Sequence, residues 1–330
     1  MKRLLTALLL ALPLAAQTPQ PDLAKQLESA GTRETRAFED TQRMVDDEMW
    51  YHRLGDIADI DKYEIASSKP RREKNPTDVN AGNMLILPVY VFVPKNLKGK
   101  APMLIFVHGG VHGRLTSNYA HIFREGLERG YIIVSPEYRG SIGNGGDHYS
   151  QIDYGGAEID DTHDTRNWAI ENLPNVDASR IGIFGWSHGG YHTLMNILQW
   201  PDDYKVAYAG VPVSDLVARL GYSGQGYRDT FEEFIGKQIE DNVMEYRRRS
   251  PVFHAEKLRT PLLIHTTTND EDVNVLEVEH MIAALKAAGK KFEYKIYENA
   301  PGGHRFNRID TKLAKDSRKE MWDFLGKYLK

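Results

Sequence analysis

The stretch "RIGIFGWSHGGYHTLMNILQ", residues 180–199, decides the fold. It begins as a short apolar run without polar alternation, which marks a strand buried on both faces. It ends as a helix-like run, and between the two stands Ser187, flanked by Gly185 and Gly189. A G-x-S-x-G sequence at a strand-to-helix junction is the nucleophile elbow. The sharp turn forces its serine into a strained backbone conformation, and side chains at 185 and 189 would collide with neighbouring backbone. The turn lifts the serine Oγ out of the sheet, and the helix N-terminus that follows favours developing negative charge. Ser187 is therefore the candidate nucleophile.

The same strand signature recurs on both sides of this stretch. "PMLIFVH", "YIIVSPEY", "KVAYAGVPV", "TPLLIHTT" and "FEYKIYE" alternate with helical candidates at 117–129, 157–173, 188–199, 274–289 and 310–329. This pattern predicts an α/β fold, a mostly parallel sheet with helices on both faces. Upstream, residues 22–55 read as a helical lead-in. "DKYEIASS" and "NMLILPVYVFVP", separated by the polar "KPRREKNPTDVNAG", read as an antiparallel start to the sheet. Residues 213–258 are too long for an ordinary connection and predict a helical, lid-like insertion over one end of the sheet. Its Leu220, Tyr222, Tyr227, Phe231 and Phe234 either line a substrate pocket, Tyr222 and Tyr227 foremost, or pack the insertion down.

With 330 residues, 41% hydrophobic, the chain is long enough to bury a full core. A net charge of −4 gives no electrostatic reason to expect nucleic acid or an anionic membrane as partner. The absence of cysteine excludes thiolate catalysis, disulfides and Cys-ligated metal. "MKRLLTALLLALPLAAQ" has a basic start, an apolar run and small residues at Ala15 and Ala16, as a secretory signal does. The expectation is a signal peptide over 1–16 and export to the periplasm or medium, without a stable membrane anchor. The expected organisation is then a lead-in with a first strand over 17–83 and a catalytic domain over 84–330.

A serine hydroxyl is a weak nucleophile until a base takes its proton, and the base needs a carboxylate to orient it. In the α/β-hydrolase layout the acid and then the histidine follow the serine. "LLIHTTTNDEDVN" follows one strand and offers Asp270, Glu271 and Asp272. "YENAPGGHRFN" follows the next, and His304 is the one histidine of 12 in a Gly-rich loop directly after the last strand. "FVHGGVHG" leaves the first central strand with His108, Gly109 and Gly110, where an exposed backbone N–H, with that of His188, would form an oxyanion hole. His188 and His192 stand four apart, but no Glu follows the first and His188 lies in the turn, so no metal site is expected. Asp160, Asp161, His163 and Asp164 read as the charged start of a helix.

Together these motifs resemble the catalytic domain of the prolyl oligopeptidase family of serine peptidases. The resemblance runs over about residues 84–330, through "VHGG" at 107–110, "YRGSIGNGG" at 138–146, "GGAEIDD" at 155–161, "VDASRIGIFGWSHGGY" at 176–191, "RRRSP" at 247–251, "DEDV" at 270–273 and "GGH" at 302–304. It implies Ser187 as nucleophile, His304 as base and Asp270, three residues before the valine, as acid. Many members place a tyrosine in the oxyanion hole where this chain has His108, which moves the donor toward Gly110. The usual His-Gly before the acid is His265-Thr266 here. Family peptidases often carry a β-propeller that selects peptides, and residues 17–83 are too few for one. The expectation is a cofactor-independent serine hydrolase acting on short peptides or small esters. A carboxylesterase is the alternative, and a non-catalytic binding protein with the same fold is the reading from another class.

Overall fold

The computed structural model of the chain describes residues 23–72 and 83–330. The expected signal segment and most of the polar linker lie outside the described residues. The chain opens on a long helix, α1 (Leu23–Leu54), and the antiparallel strands β1 (Ala58–Pro70) and β2 (Met84–Pro94). Among the described side chains of α1, those of its last turns join the core. Trp50 packs on Phe92 and Phe123 with ring centroids 4.9 and 5.2 Å apart, whereas Phe38 and Met44 stay exposed.

The α/β region follows as β3 (Ala101–Val107), α2 (Ala120–Leu127), β4 (Ile132–Pro136), the single turn α3 (Gly146–Tyr149), α4 (Ala157–Asn172), β5 (Val176–Trp186), α5 (His188–Gln199) and β6 (Val206–Gly210). The insertion supplies three short helices, α6 (Leu216–Tyr222), α7 (Gln225–Ile235) and α8 (Val243–Arg248). β7 (Leu262–Thr267), α9 (Val275–Ala287), β8 (Glu293–Tyr297) and α10 (Lys312–Leu329) complete it. Each strand and long helix predicted from hydrophobic periodicity is present, with ends shifted by a few residues.

The eight strands form one sheet in the order β1-β2-β4-β3-β5-β6-β7-β8. β1–β2 and β2–β4 are antiparallel and the rest parallel. Because β1 belongs to this sheet, the lead-in segment is stitched into the catalytic core. Burial on both faces explains the continuous apolar strands. α4, α5 and α9 bury Ile159, Leu194, Met195, Met281 and Leu285 on one face, and α2 and α10 bury Phe123, Met321, Trp322 and Leu325 on the other. Each such side chain stabilises the fold by about 1.5–3 kcal/mol. β8, charged and largely exposed, forms an edge.

From β3 the chain passes to β4 on one side and later to β5 on the other, so the strand order reverses between β3 and β5. In open α/β sheets the crevice beyond the carboxyl ends of strands at such a point is where ligands bind. Gly109 and Gly110 follow β3, and Ser187 follows β5.

A buried ion pair links the lead-in strand to the core. Arg139 binds both carboxylate oxygens of Asp161 at 2.8 and 2.9 Å and donates to Ser67 Oγ at 3.0 Å, with both ionic side chains buried. It ties α4 and the loop after β4 to β1. Asp161 stands at the charged start of α4, as expected, and its side chain points inward. Among the described residues, no helix is long and apolar enough to cross a membrane.

Candidate active site

Ser187 sits at the β5–α5 junction with φ 59° and ψ −122°. A non-glycine residue in this region stores about 1–3 kcal/mol of strain, which the surrounding hydrogen bonds must hold. Ser187 N–H donates to the Gly210 carbonyl at 2.9 Å, and Tyr191 N–H donates to the Ser187 carbonyl at 2.9 Å. The flanking glycines are sterically required. A Cβ at Gly185 would lie 2.6 Å from Gly189 C, and one at Gly189 would lie 2.0 Å from the Val107 carbonyl oxygen. The Ser187 hydroxyl does not cap its own helix, so it is left available for other partners.

His304 enters from the loop after β8. Its Nδ1 lies 2.9 Å from both oxygens of Asp270, whose Oδ1 also accepts from Asp272 N–H at 2.9 Å and Val273 N–H at 2.8 Å. Those bonds fix the position of the carboxylate. The neighbouring acids have other partners. Glu271 accepts the His304 backbone N–H at 2.9 Å, and a Cβ at Gly303 would strike that carboxylate at 2.0 Å, which explains the glycine before the histidine. Asp272 lies 3.6 Å from His304 Nε2 and is paired with Arg219 at 3.0 Å.

Gly109 and Gly110 run beside the serine turn, and a Cβ at Gly109 would meet the Trp186 carbonyl at 3.0 Å and Ser187 Cβ at 3.5 Å. Tyr138 OH donates to the Gly110 carbonyl at 2.6 Å. His108 stacks on the Tyr138 ring at 4.3 Å, and its Nε2 contacts Ser141 Oγ at 3.0 Å. Tyr138 thereby fixes the peptide planes of this loop. It belongs to the "YRGSIGNGG" stretch, but nothing local in the sequence shows that its hydroxyl reaches Gly110.

The insertion contacts the acid loop. Leu220, Phe231 and Phe234 are core residues. Tyr222 and Tyr227 are partly exposed, and their hydroxyls bind Glu277 at 2.8 Å and Arg219 at 2.6 Å. Since Arg219 also holds Asp272, these tyrosines anchor the insertion beside His304. The lead-in reaches the same rim. Arg36 lies over the Tyr149 ring, which stacks on His112 at 3.8 Å, and His112 meets Phe234 edge-on at 5.2 Å.

Beneath the serine turn, Glu158 of α4 meets His188 and His192 of α5, all three buried. Burial pushes the Glu158 carboxyl up, but the two imidazoles overcome this and hold it below the usual carboxylate range. Burial pushes His192 down to about 4 against the pull of Glu158.

A strained serine at a strand-to-helix turn, a buried carboxylate–imidazole pair from the loops after β7 and β8 and paired glycines at the end of β3 define an α/β-hydrolase of the serine type. A model of the prolyl oligopeptidase family matches residues 118–330, and the chain belongs to that family. It is 30% identical over 219 residues to the uncharacterized peptidase YuxL of Bacillus subtilis, covering 65% of this chain and 33% of that protein. It is 28% identical to dipeptidyl aminopeptidase BIII of Pseudoxanthomonas mexicana, covering 74% and 37%. It spans about a third of these relatives' length. Uncomplexed Pyrococcus horikoshii acylaminoacyl peptidase superposes with a TM-score of 0.69 at 23% identity, over 83% of this chain and 42% of that one.

Proposed function

We propose that this protein is an exported serine peptidase of the prolyl oligopeptidase type that cleaves short peptides through an acyl-enzyme. The observation that carries this reading is the Asp270–His304 pair at 2.9 Å on the same sheet end as the strained Ser187. In the mechanism, His304 Nε2 takes the proton of Ser187 Oγ as the oxygen attacks the substrate carbonyl carbon. Asp270 holds Nδ1–H and stabilises the imidazolium. Backbone N–H groups of His188 and of Gly109 or Gly110 receive the oxyanion; one such donor is worth about 100 to 1000-fold in rate. His304 then protonates the leaving amine, the C–N bond breaks, and water attacks the acyl-enzyme by the same route in reverse.

Peptide substrates are favoured by the names of the relatives. A carboxylesterase is the second reading, since esters need no protonation of a poor leaving group and the chain matches only the catalytic part of those peptidases. Export rests on the N-terminal sequence and is tested by cell fractionation.

The deciding experiment compares residues 17–330 with the same chain carrying Ser187→Ala on Xaa-Pro and aminoacyl p-nitroanilides and on short-chain p-nitrophenyl esters. Anilide cleavage that disappears with Ser187 supports the peptidase. Ester turnover with every anilide inert identifies an esterase. Equal turnover by Ser187→Ala refutes both catalytic readings.

A further inference from the structure

We propose that Glu158, His188 and His192 form a binding site for a divalent transition metal of the Zn2+ type beneath the serine turn. Glu158 projects from the first turn of α4, and His188 and His192 project from one face of α5, four residues apart. All three side chains are at most 3% exposed, so they meet in a space closed to solvent.

Their geometry is that of a coordination face. The two Nε2 atoms lie 3.3 Å apart, and Glu158 Oε1 lies 3.1 Å from that of His188 and 3.5 Å from that of His192. A tetrahedral Zn2+ holds nitrogen and oxygen ligands at about 2.0–2.1 Å, which places neighbouring ligand atoms about 3.3–3.4 Å from one another. The triangle's edges, 3.1, 3.3 and 3.5 Å, lie around that spacing.

The surrounding bonds orient the donors toward a shared point. His192 Nδ1 contacts Thr162 Oγ1 at 2.9 Å. With Nδ1–H given to that hydroxyl, the Nε2 lone pair faces the centre, the arrangement usual for a ligating histidine. Glu158 Oε1 is held by Gly155 N–H at 2.8 Å. His188 Nδ1 has no hydrogen-bond partner among the described residues, so the polar engagement of that ring is all at Nε2. The rings of Tyr138 and Tyr154 wall the cluster, 4.4 Å from His192 and 4.5 Å from His188. Enclosed this way, the ion is structural. It ties α4 to the first turn of α5, adjacent to Ser187. The sequence showed only the two histidines, because the third ligand lies 30 residues upstream.

The test uses the tag-free chain, stripped with a chelator, reloaded with Zn2+ or Co2+ and desalted. The expected result is about one metal ion per chain and, with Co2+, the visible absorption of a four-coordinate site, its fourth ligand the second Glu158 oxygen, 3.2 Å from His188 Nε2, or a bound water. His192→Ala and Glu158→Ala should each retain less than about a tenth of that metal, while His163→Ala, a histidine of α4 outside the cluster, retains all of it. Ser187→Ala should also keep the metal, which separates this result from that of the hydrolase reading. Metal-free wild type after reloading, or unchanged metal content in the cluster variants, overturns the site. If those variants do not fold, the wild type decides: a raised melting temperature with Zn2+ together with the Co2+ bands supports it, and the absence of either overturns it.

Discussion

His304 Nδ1 lies 2.9 Å from both carboxylate oxygens of Asp270, and that carboxylate is wholly shielded from solvent. Asp270→Asn keeps the shape but loses the charge and the tautomer preference it imposes. kcat should fall by about 1000 to 10,000-fold with KM little changed. Asp272→Asn, at the other ring nitrogen and partly exposed, should cost less than about tenfold. Steady-state kinetics on the cleaved substrate checks both, and a reversed order would move the acid to Asp272.

Tyr138 is a positioning residue whose hydroxyl fixes the Gly110 carbonyl at 2.6 Å. Tyr138→Phe should lower kcat by about tenfold, less than the loss of an oxyanion donor itself, and leave KM near its wild-type value. A rise in KM at constant kcat would place the tyrosine in substrate binding instead.

Gly189→Ala puts a methyl group 2.0 Å from the Val107 carbonyl oxygen, where backbone must move to admit it. The cost should be about 3 kcal/mol or more. Urea unfolding should show a lowered midpoint, and a stability equal to wild type would mean that the elbow relaxes freely.

The Arg139–Asp161 pair is buried, so neutralising one partner strands the other. Asp161→Asn should destabilise by about 3–5 kcal/mol. Replacing both residues with apolar ones of similar size should cost less than the single change. Denaturation midpoints of the three proteins measure this.

His265 is buried in β7, and burial pushes its pKa down from the ordinary 6.5 to about 4. The unfolded chain then binds a proton that the folded chain refuses. Stability from this group is complete above about pH 6.5 and lost as pH falls toward 4, up to about 3 kcal/mol. Melting temperature should drop over that window, and His265→Asn should flatten the drop.

Some of this protein was legible in one dimension because its causes are local. Continuous apolar runs dictate buried strands, helical periodicity marked α4, α5, α9 and α10, and the steric demand at 185 and 189 announces the serine turn. The histidine loop was equally plain from the glycines before His304. The relationships that act across the sheet were not. Asp161 read only as part of a charged helix start, and its partners, Ser67 from β1 and Arg139 from the loop after β4, meet it only across the fold. Tyr222 and Tyr227 read equally as pocket or packing residues, and nothing local showed that Arg219 and Glu277 come within reach of their hydroxyls. Glu158 joined His188 and His192 only when α4 packed on α5. Periodicity and turn chemistry act over a few residues and can be read from the chain. Which polar groups meet inside the core depends on how the helices cross the sheet, and only the tertiary structure decided that.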